Sequence, residues 1–151
     1  MPDFLVKFIP ADYKFAPDYL MATKGRDLLC ELLPGIPKDD ISFKTSPNPT
    51  LVDNDGNLES IHCPHCNEYV SSLWWREAVS DAYRDDFWAL VVSMPCCGKT
   101  ASLNELTYHP HLGFSRFTLE VHGSIHSSTD QIIEKLSELY GQPFLCVPVR
   151  V

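Results

Sequence analysis

Apolar positions recur along the chain with two different periods, and the switches between them predict a series of short elements. The run FLVKFI, residues 4–9, predicts a first strand that Pro10 closes. TKGRDLLCELLPG, residues 23–35, has a moderate helical period and stops at Pro34-Gly35. ISFKT, residues 41–45, predicts a strand. SPNPT after it predicts a loop, because Pro47 and Pro49 lack amide donors and fix φ. Between residues 50 and 63, two β-prone arms flank Asp53-Asn54-Asp55-Gly56-Asn57, a hairpin pattern whose second arm leads into Cys63.

In the middle of the chain, Ser71 or Ser72 is placed to cap a helix on which Trp75, Val79 and Ala82 share one face. FWALVVSM, residues 87–94, predicts an apolar strand that delivers the chain to Cys96, with TASL, residues 100–103, as its return arm. RFTLEVHG, residues 116–123, alternates with period two, the pattern of a half-buried strand. The last helix is the best signalled. Ser128 and Gln131 form a capping-box pattern, and Ile132, Ile133, Leu136, Leu139 and Tyr140 make an apolar stripe. Gly141 is the stop, with Pro143 beyond it. The closing PFLCVPVRV predicts a strand whose Pro148 suits a sheet edge or a bulge. The expected architecture is α+β, a small mixed sheet with two to three helices in a single domain over residues 1–151.

Six cysteines change this picture. Four of them fall in two tight groups, Cys63 and Cys66 in HCPHCNE and the adjacent Cys96 and Cys97 in SMPCCGK. Zinc takes four soft or borderline ligands at the corners of a tetrahedron, and a Cys-x-x-Cys turn aims two thiolates at one point while its amides support their charge. Pro64 fixes the first turn, and Asn67 tolerates the left-handed conformation. A matching second knuckle would read Cys-Pro-x-Cys-Gly. Residues 94–98 read Met94-Pro95-Cys96-Cys97-Gly98, so the proline, second cysteine and glycine are in place and Cys96 stands at the intervening position. Cys97 is then the regular ligand and Cys96 the irregular one. The expectation is one structural Zn²⁺ on Cys63, Cys66, Cys96 and Cys97, carried by an insertion at about residues 58–103.

Alternatives stay open at this point. His62 or His65 could replace Cys96 as fourth ligand, since imidazole also binds zinc. Cys96 and Cys97 could form a redox pair, although a disulfide between neighbours forces an unusual backbone. A catalytic zinc keeps one position for water, whereas four thiolates close the shell. Cys30 and Cys146 lie in the apolar stretches DLLCELL and FLCVPV and read as small core residues.

Composition narrows the classes. With 44% hydrophobic and 21% charged residues the chain is globular rather than disordered. No run approaches the roughly 20 apolar residues that span a bilayer, and the N-terminal stretch lacks the form of a signal peptide. A cytoplasmic location is therefore expected, and with it reduced thiols. The formal charge is −8, and the 12 Lys and Arg are scattered, a balance that repels phosphate backbones and favours a basic protein partner.

Other constellations carry less. His109, His111, His122 and His126 could form a second metal site, but the plainer reading is a proline loop with exposed histidines. Glu120 and His122 alternate onto one strand face as a candidate acid/base pair, with no nucleophile motif or oxyanion loop beside them. Gly98-Lys99-Thr100 looks like the tail of a phosphate loop but lacks the upstream glycine. Adjacent Trp74 and Trp75 cannot face the same way, so one is free for a partner surface. Asp81, Asp85 and Asp86 make a solvated helix end or a docking face for a basic partner.

The two cysteine groups together resemble a zinc ribbon. The succession CPHC, WW, PCCGKTASLNEL, GFSRFTLEV and a helix ending in GQPF, from about residue 53 onward, resembles a zinc-ribbon-containing family of small uncharacterised bacterial proteins. Pro95 to Gly98 followed by Ser102-Leu103-Asn104 is the most specific phrase. The resemblance implies a bacterial cytoplasmic origin and a cohesive fold, and no reaction. The function expected first is a non-enzymatic, zinc-stabilised protein-binding module, such as an immunity or adaptor protein, docking a basic effector or toxin. A nucleic-acid-linked zinc-ribbon regulator would gather Lys7, Lys44, Lys99 and Arg116 on one face. A metal or redox enzyme would place His65, Cys96 and Cys97 around an open metal position in a pocket.

Overall fold

The computed structural model describes residues 4–54, 58–125 and 128–150. Their order is β1 (Phe4–Pro10), α1 (Tyr19–Leu32), a 3-10 turn (Lys38–Asp40), β2 (Ile41–Val52), β3 (Ser60–His62), α2 (Ser72–Tyr83), β4 (Val91–Ser93), β5 (Thr100–Ser102), β6 (Thr107–His109), β7 (Gly113–His122), α3 (Thr129–Tyr140) and β8 (Phe144–Arg150). The class is α+β, as expected. None of the helices among the described residues is long and apolar enough to cross a membrane.

Four strands form the main sheet in the order β2-β7-β1-β8. Val6 pairs with Val121, Phe43 with Leu119 and Phe8 with Cys146, and all three ladders are antiparallel. The sheet is thus antiparallel rather than mixed, because β1 slots between β7 and β8 and separates the two strands that α3 connects. Phe117, Leu119 and Val121 alternate onto the face that α1 and α3 cover, with Phe8, Leu29, Ile132 and Leu136. The opposite positions, Thr118 and Glu120, are also buried. β7 is therefore covered on both faces rather than half-buried. Among the described residues β8 pairs only with β1, which leaves Pro148 on an edge strand where its missing donor costs little.

Capping residues set the helix limits. Asp18 accepts from the Met21 amide at 2.8 Å and starts α1 ahead of its periodic stretch. Ser71 caps α2 through the Trp74 amide. Gly141, at φ 71°, closes α3 with its N–H on the Ser137 carbonyl. The capping box expected at Ser128 is not formed, since its side chain makes no cap hydrogen bond. α1 meets α3 at Gly25, where a Cβ would strike the Tyr140 phenol. That phenol donates to the Met21 carbonyl at 2.7 Å.

Three further sequence expectations are corrected. SPNPT is part of β2 rather than a loop between elements. Thr45 faces Phe117 and Thr50 faces Ser115, so residues 46–49 bulge opposite Arg116, where Pro47 and Pro49 need donate nothing. Arg116 Nε donates to the Ser46 carbonyl at 3.1 Å, and Trp88 Nε1 to Asn48 Oδ1 at 2.9 Å, fixing the bulge. The hairpin expected over residues 50–63 is absent as a pair. Thr50–Val52 joins β7 while β3 joins β6, because buried Asn54 donates to the Pro110 carbonyl at 3.1 Å and sends the chain to another sheet. The centre of that pattern, residues 55–57, lies outside the described residues, as does His126. Finally, only Val91–Ser93 of FWALVVSM is strand. Asp86 and Phe87 take left-handed φ of 52° and 62° after α2, and Phe87 in that turn and Leu90 just before β4 are apolar because they are core residues.

A second core runs from Ile61 to Phe114 and holds Trp75, Ala82, Phe87, Leu90, Met94, Leu103 and Tyr108. The segment expected as an insertion supplies most of it. Asn104 ties this core to the main sheet, donating to the Ala11 carbonyl at 3.0 Å and accepting from the Phe114 amide at 2.8 Å.

Candidate metal centre

Two turns of one design bring the four cysteines together. In the first, Cys63 donates its N–H to the Glu68 carbonyl at 2.9 Å and accepts at its own carbonyl from Asn67, whose φ is 63°. In the second, Met94 donates to the Lys99 carbonyl at 2.9 Å and accepts from Gly98, whose φ is 74°. Both turns carry proline next and a cysteine three residues on. The register equates Cys63 with Met94, Cys66 with Cys97, and His65 with Cys96. Each turn tips a pair of extended arms: His62 bridges Tyr69 across the first, and β4 pairs β5 across the second.

The Sγ atoms of Cys63, Cys66, Cys96 and Cys97 all lie within 4.8 Å of one another. Cys63 and Cys97 are 3.8 Å apart, and Cys66 and Cys96 are 3.3 Å apart. A metal–sulfur bond of about 2.3 Å in a tetrahedron sets sulfurs about 3.8 Å apart. The donor set and its spacing therefore fit a thiolate-bound cation, and these four residues could hold a metal ion. Cys63 is 1% exposed, while the other three face solvent.

The turns also set the charge on sulfur. Burial pushes the Cys63 thiol up, but hydrogen bonds from the Cys66 and His65 amides and from the Cys96 and Cys66 thiols outweigh it and bring it down to about 6. The His65 amide lies 3.4 Å from Cys63 Sγ. Cys96 is pushed up to about 12, first by its hydrogen bond to Cys66 and then by burial and the neighbouring sulfurs. Of these two thiols, Cys63 carries charge before Cys96 does.

The histidine alternatives are engaged elsewhere. His65 Nε2 donates to the Thr100 carbonyl at 2.7 Å, joining the first turn to the second hairpin. His62 Nδ1 lies 3.3 Å from the Asn67 carbonyl, and its ring packs on Tyr69 and His109. Cys96 has Cys66 as its hydrogen-bonded neighbour, so the closest thiols do not form the Cys96–Cys97 pair considered from sequence. The only group of three or more metal-type ligands among the described residues is the cysteine set; His109, His111 and His122 do not converge.

The remaining candidates fall into place. Trp75 is the core tryptophan and donates to the Tyr108 hydroxyl at 2.9 Å, while Trp74 is half-buried. Asp81, Asp85 and Asp86 are exposed. Lys7, Lys44 and Arg116 share a cleft of 270 Å³ with Glu120, but Lys99 belongs to the second turn. Glu120 meets Lys44 at 3.3 Å and His122 at 3.8 Å. Cys146 borders a 690 Å³ cleft with Asp130. Burial, and then that carboxylate, push its thiol up to about 11, the opposite of an activated nucleophile. Tyr108, which shares the buried core with Cys63 and Met94, carried no local sequence signal. No protein-family model, no curated protein and no solved structure matches the chain, so no family is assigned to it.

Proposed function

We propose that the chain is a non-enzymatic binding module whose four cysteines hold one structural Zn²⁺ and whose acidic surface docks a basic protein. The observation that carries the metal part is the four-sulfur cluster, each sulfur within 4.8 Å of the others and each presented by a fixed turn. Thiolates select zinc over hard cations, and four of them leave no position for water or substrate. Bound there, Zn²⁺ would supply four bonds between turns thirty residues apart and stabilise the second core through them.

The docking part rests on charge. The formal charge is −8, and four thiolates with one Zn²⁺ take it to about −10. Such a surface suits the partner of an immunity or adaptor protein, a basic effector. A nucleic-acid regulator is the second reading, favoured by the shared cleft of Lys7, Lys44 and Arg116. Glu120 within that cleft, and the commitment of Arg116 to the Ser46 and Lys14 carbonyls, place it second.

Metal analysis by mass spectrometry on untagged protein, purified without chelator, tests the metal reading. One zinc per chain supports it. Metal-free protein with Cys66 and Cys96 open to alkylation overturns it and turns attention to thiol redox chemistry.

A further inference from the structure

Beside the metal turns, α2 and β4 enclose a groove of 410 Å³. One wall carries Trp74, Glu77, Asp81 and Asp85, and the other carries Val91 and Ser93. No Lys, Arg or His lines it. Arg84 reaches Asp81 at 4.0 Å, a pair exposed on both sides and weak for that reason.

The β4 wall is an open strand edge. Among the described residues, β4 has β5 as its one partner in the sheet. Leu103 N–H donates to the Leu90 carbonyl at 2.8 Å and Met94 N–H to the Lys99 carbonyl at 2.9 Å. Bonded pairs alternate in an antiparallel ladder, so Leu90, Val92 and Met94 turn toward β5, and the N–H and C=O groups of Val91 and Ser93 turn outward. The Val91 side chain stands 73% exposed above them.

An unpaired edge recruits extended backbone, and the carboxylates facing it select what that backbone carries. A second copy of the chain would bring the same carboxylates together, and nucleic acid would bring phosphate to them. We propose that the α2–β4 groove docks an extended, Lys/Arg-rich segment of a partner protein, which adds to the outer edge of β4 as a strand. The four outward backbone groups of Val91 and Ser93 supply the hydrogen bonds. Glu77, Asp81 and Asp85 supply the selection for positive charge. This surface rests on the reading of the chain as a binding module for a basic partner and names where the contact is made.

The test uses zinc-loaded protein and three end-blocked ten-residue peptides. One alternates Lys and Val, one alternates Glu and Val, and one is the Lys-Val peptide with alternate amides N-methylated. The Lys-Val peptide is expected to bind saturably, shifting the amide resonances of Val91 and Ser93 and the indole of Trp74. Affinity should fall at least tenfold in Glu77→Gln/Asp81→Asn/Asp85→Asn, and should also fall as salt rises. The Glu-Val peptide should not bind, and N-methylation on the bonding edge should abolish the shifts. No saturable binding, equal binding of the Glu-Val peptide, shifts confined to the Lys7–Glu120 face, or β4 shifts that follow protein concentration without peptide would each overturn the proposal. The metal content of the same sample separates the two readings. Zinc-loaded protein that ignores the peptide sinks the groove alone, and metal-free protein that binds it sinks the zinc alone.

Discussion

Met94 occupies in the second turn the position that Cys63 occupies in the first, with the same pair of backbone hydrogen bonds to residues four and five places on. Cys63 and Met94 are both buried, at 1% and 2% exposure. The second turn thus keeps the knuckle backbone and loses its first ligand, and Cys96, in the register of His65, supplies the missing sulfur from the other side. The thioether of Met94 fills the core position a ligand would have left.

This relationship predicts a ligand exchange. Cys96→Ser should lower zinc affinity by more than the about 10–100-fold that loss of an outer partner costs. Adding Met94→Cys should return affinity to within tenfold, because that position repeats the backbone hydrogen bonds of Cys63. His65→Ala should cost less than Cys96→Ser. Competition with a chromophoric chelator at pH 7 measures all four proteins, and failure of Met94→Cys to rescue would refute the equivalence of the two turns.

Removal of zinc should loosen one core and spare the other. Trp75 lies in the second core, where it donates to Tyr108, and Trp74 packs against that core. Chelation should therefore shift tryptophan emission to longer wavelength and expose the amides of β3, β4 and β5 to exchange. The amides of β1 and β7, whose side chains pack under α1 and α3, should stay protected. Equal loss of protection in both regions would show that the metal holds the whole molecule.

What could be read from the sequence follows from how local each cause is. The cysteine turns were legible because proline, cysteine and a left-handed residue act within five positions. The stripe of α3 and the stop at Gly141 were legible for the same reason. The bulge at Pro47–Pro49 was not, because it depends on Arg116 and Trp88, far along the chain. Nor was the divergence of the arms around Asp53, which depends on Asn54 reaching Pro110. FWALVVSM misled because burial of Phe87 in a turn and of Leu90 after it writes the same apolar run as a strand.

Gly25 should resist the usual helix-stabilising exchange. Alanine in a helix interior gains about 1 kcal/mol over glycine. At Gly25 the added Cβ meets the Tyr140 hydroxyl, and overpacking of this kind costs about 1–3 kcal/mol. Gly25→Ala should therefore lower the melting temperature. In a Tyr140→Phe background the same change should cost less, since the closest contact is gone while the ring carbons at 3.0 and 3.2 Å remain. A double-mutant cycle by thermal denaturation reads the coupling, and strict additivity would remove the contact as the cause.

Tyr140 also sets an alkaline limit. Burial, partly offset by a backbone hydrogen bond from Gly25, pushes its phenol from the ordinary 10 up to about 12. The neutral phenol is the form that donates to the Met21 carbonyl at 2.7 Å. A folded-state value above the unfolded one means that the unfolded chain loses its proton first as pH rises. The contribution of Tyr140 is therefore complete below about pH 10 and is lost as pH climbs through about 12. Wild type should exceed Tyr140→Phe by about 1 kcal/mol at pH 8, the net worth of one hydrogen bond. That advantage should close by pH 12. Denaturant titrations of both proteins at pH 8, 10 and 12 measure the difference, and an advantage that persists unchanged at pH 12 would show that the hydroxyl contributes nothing through its proton.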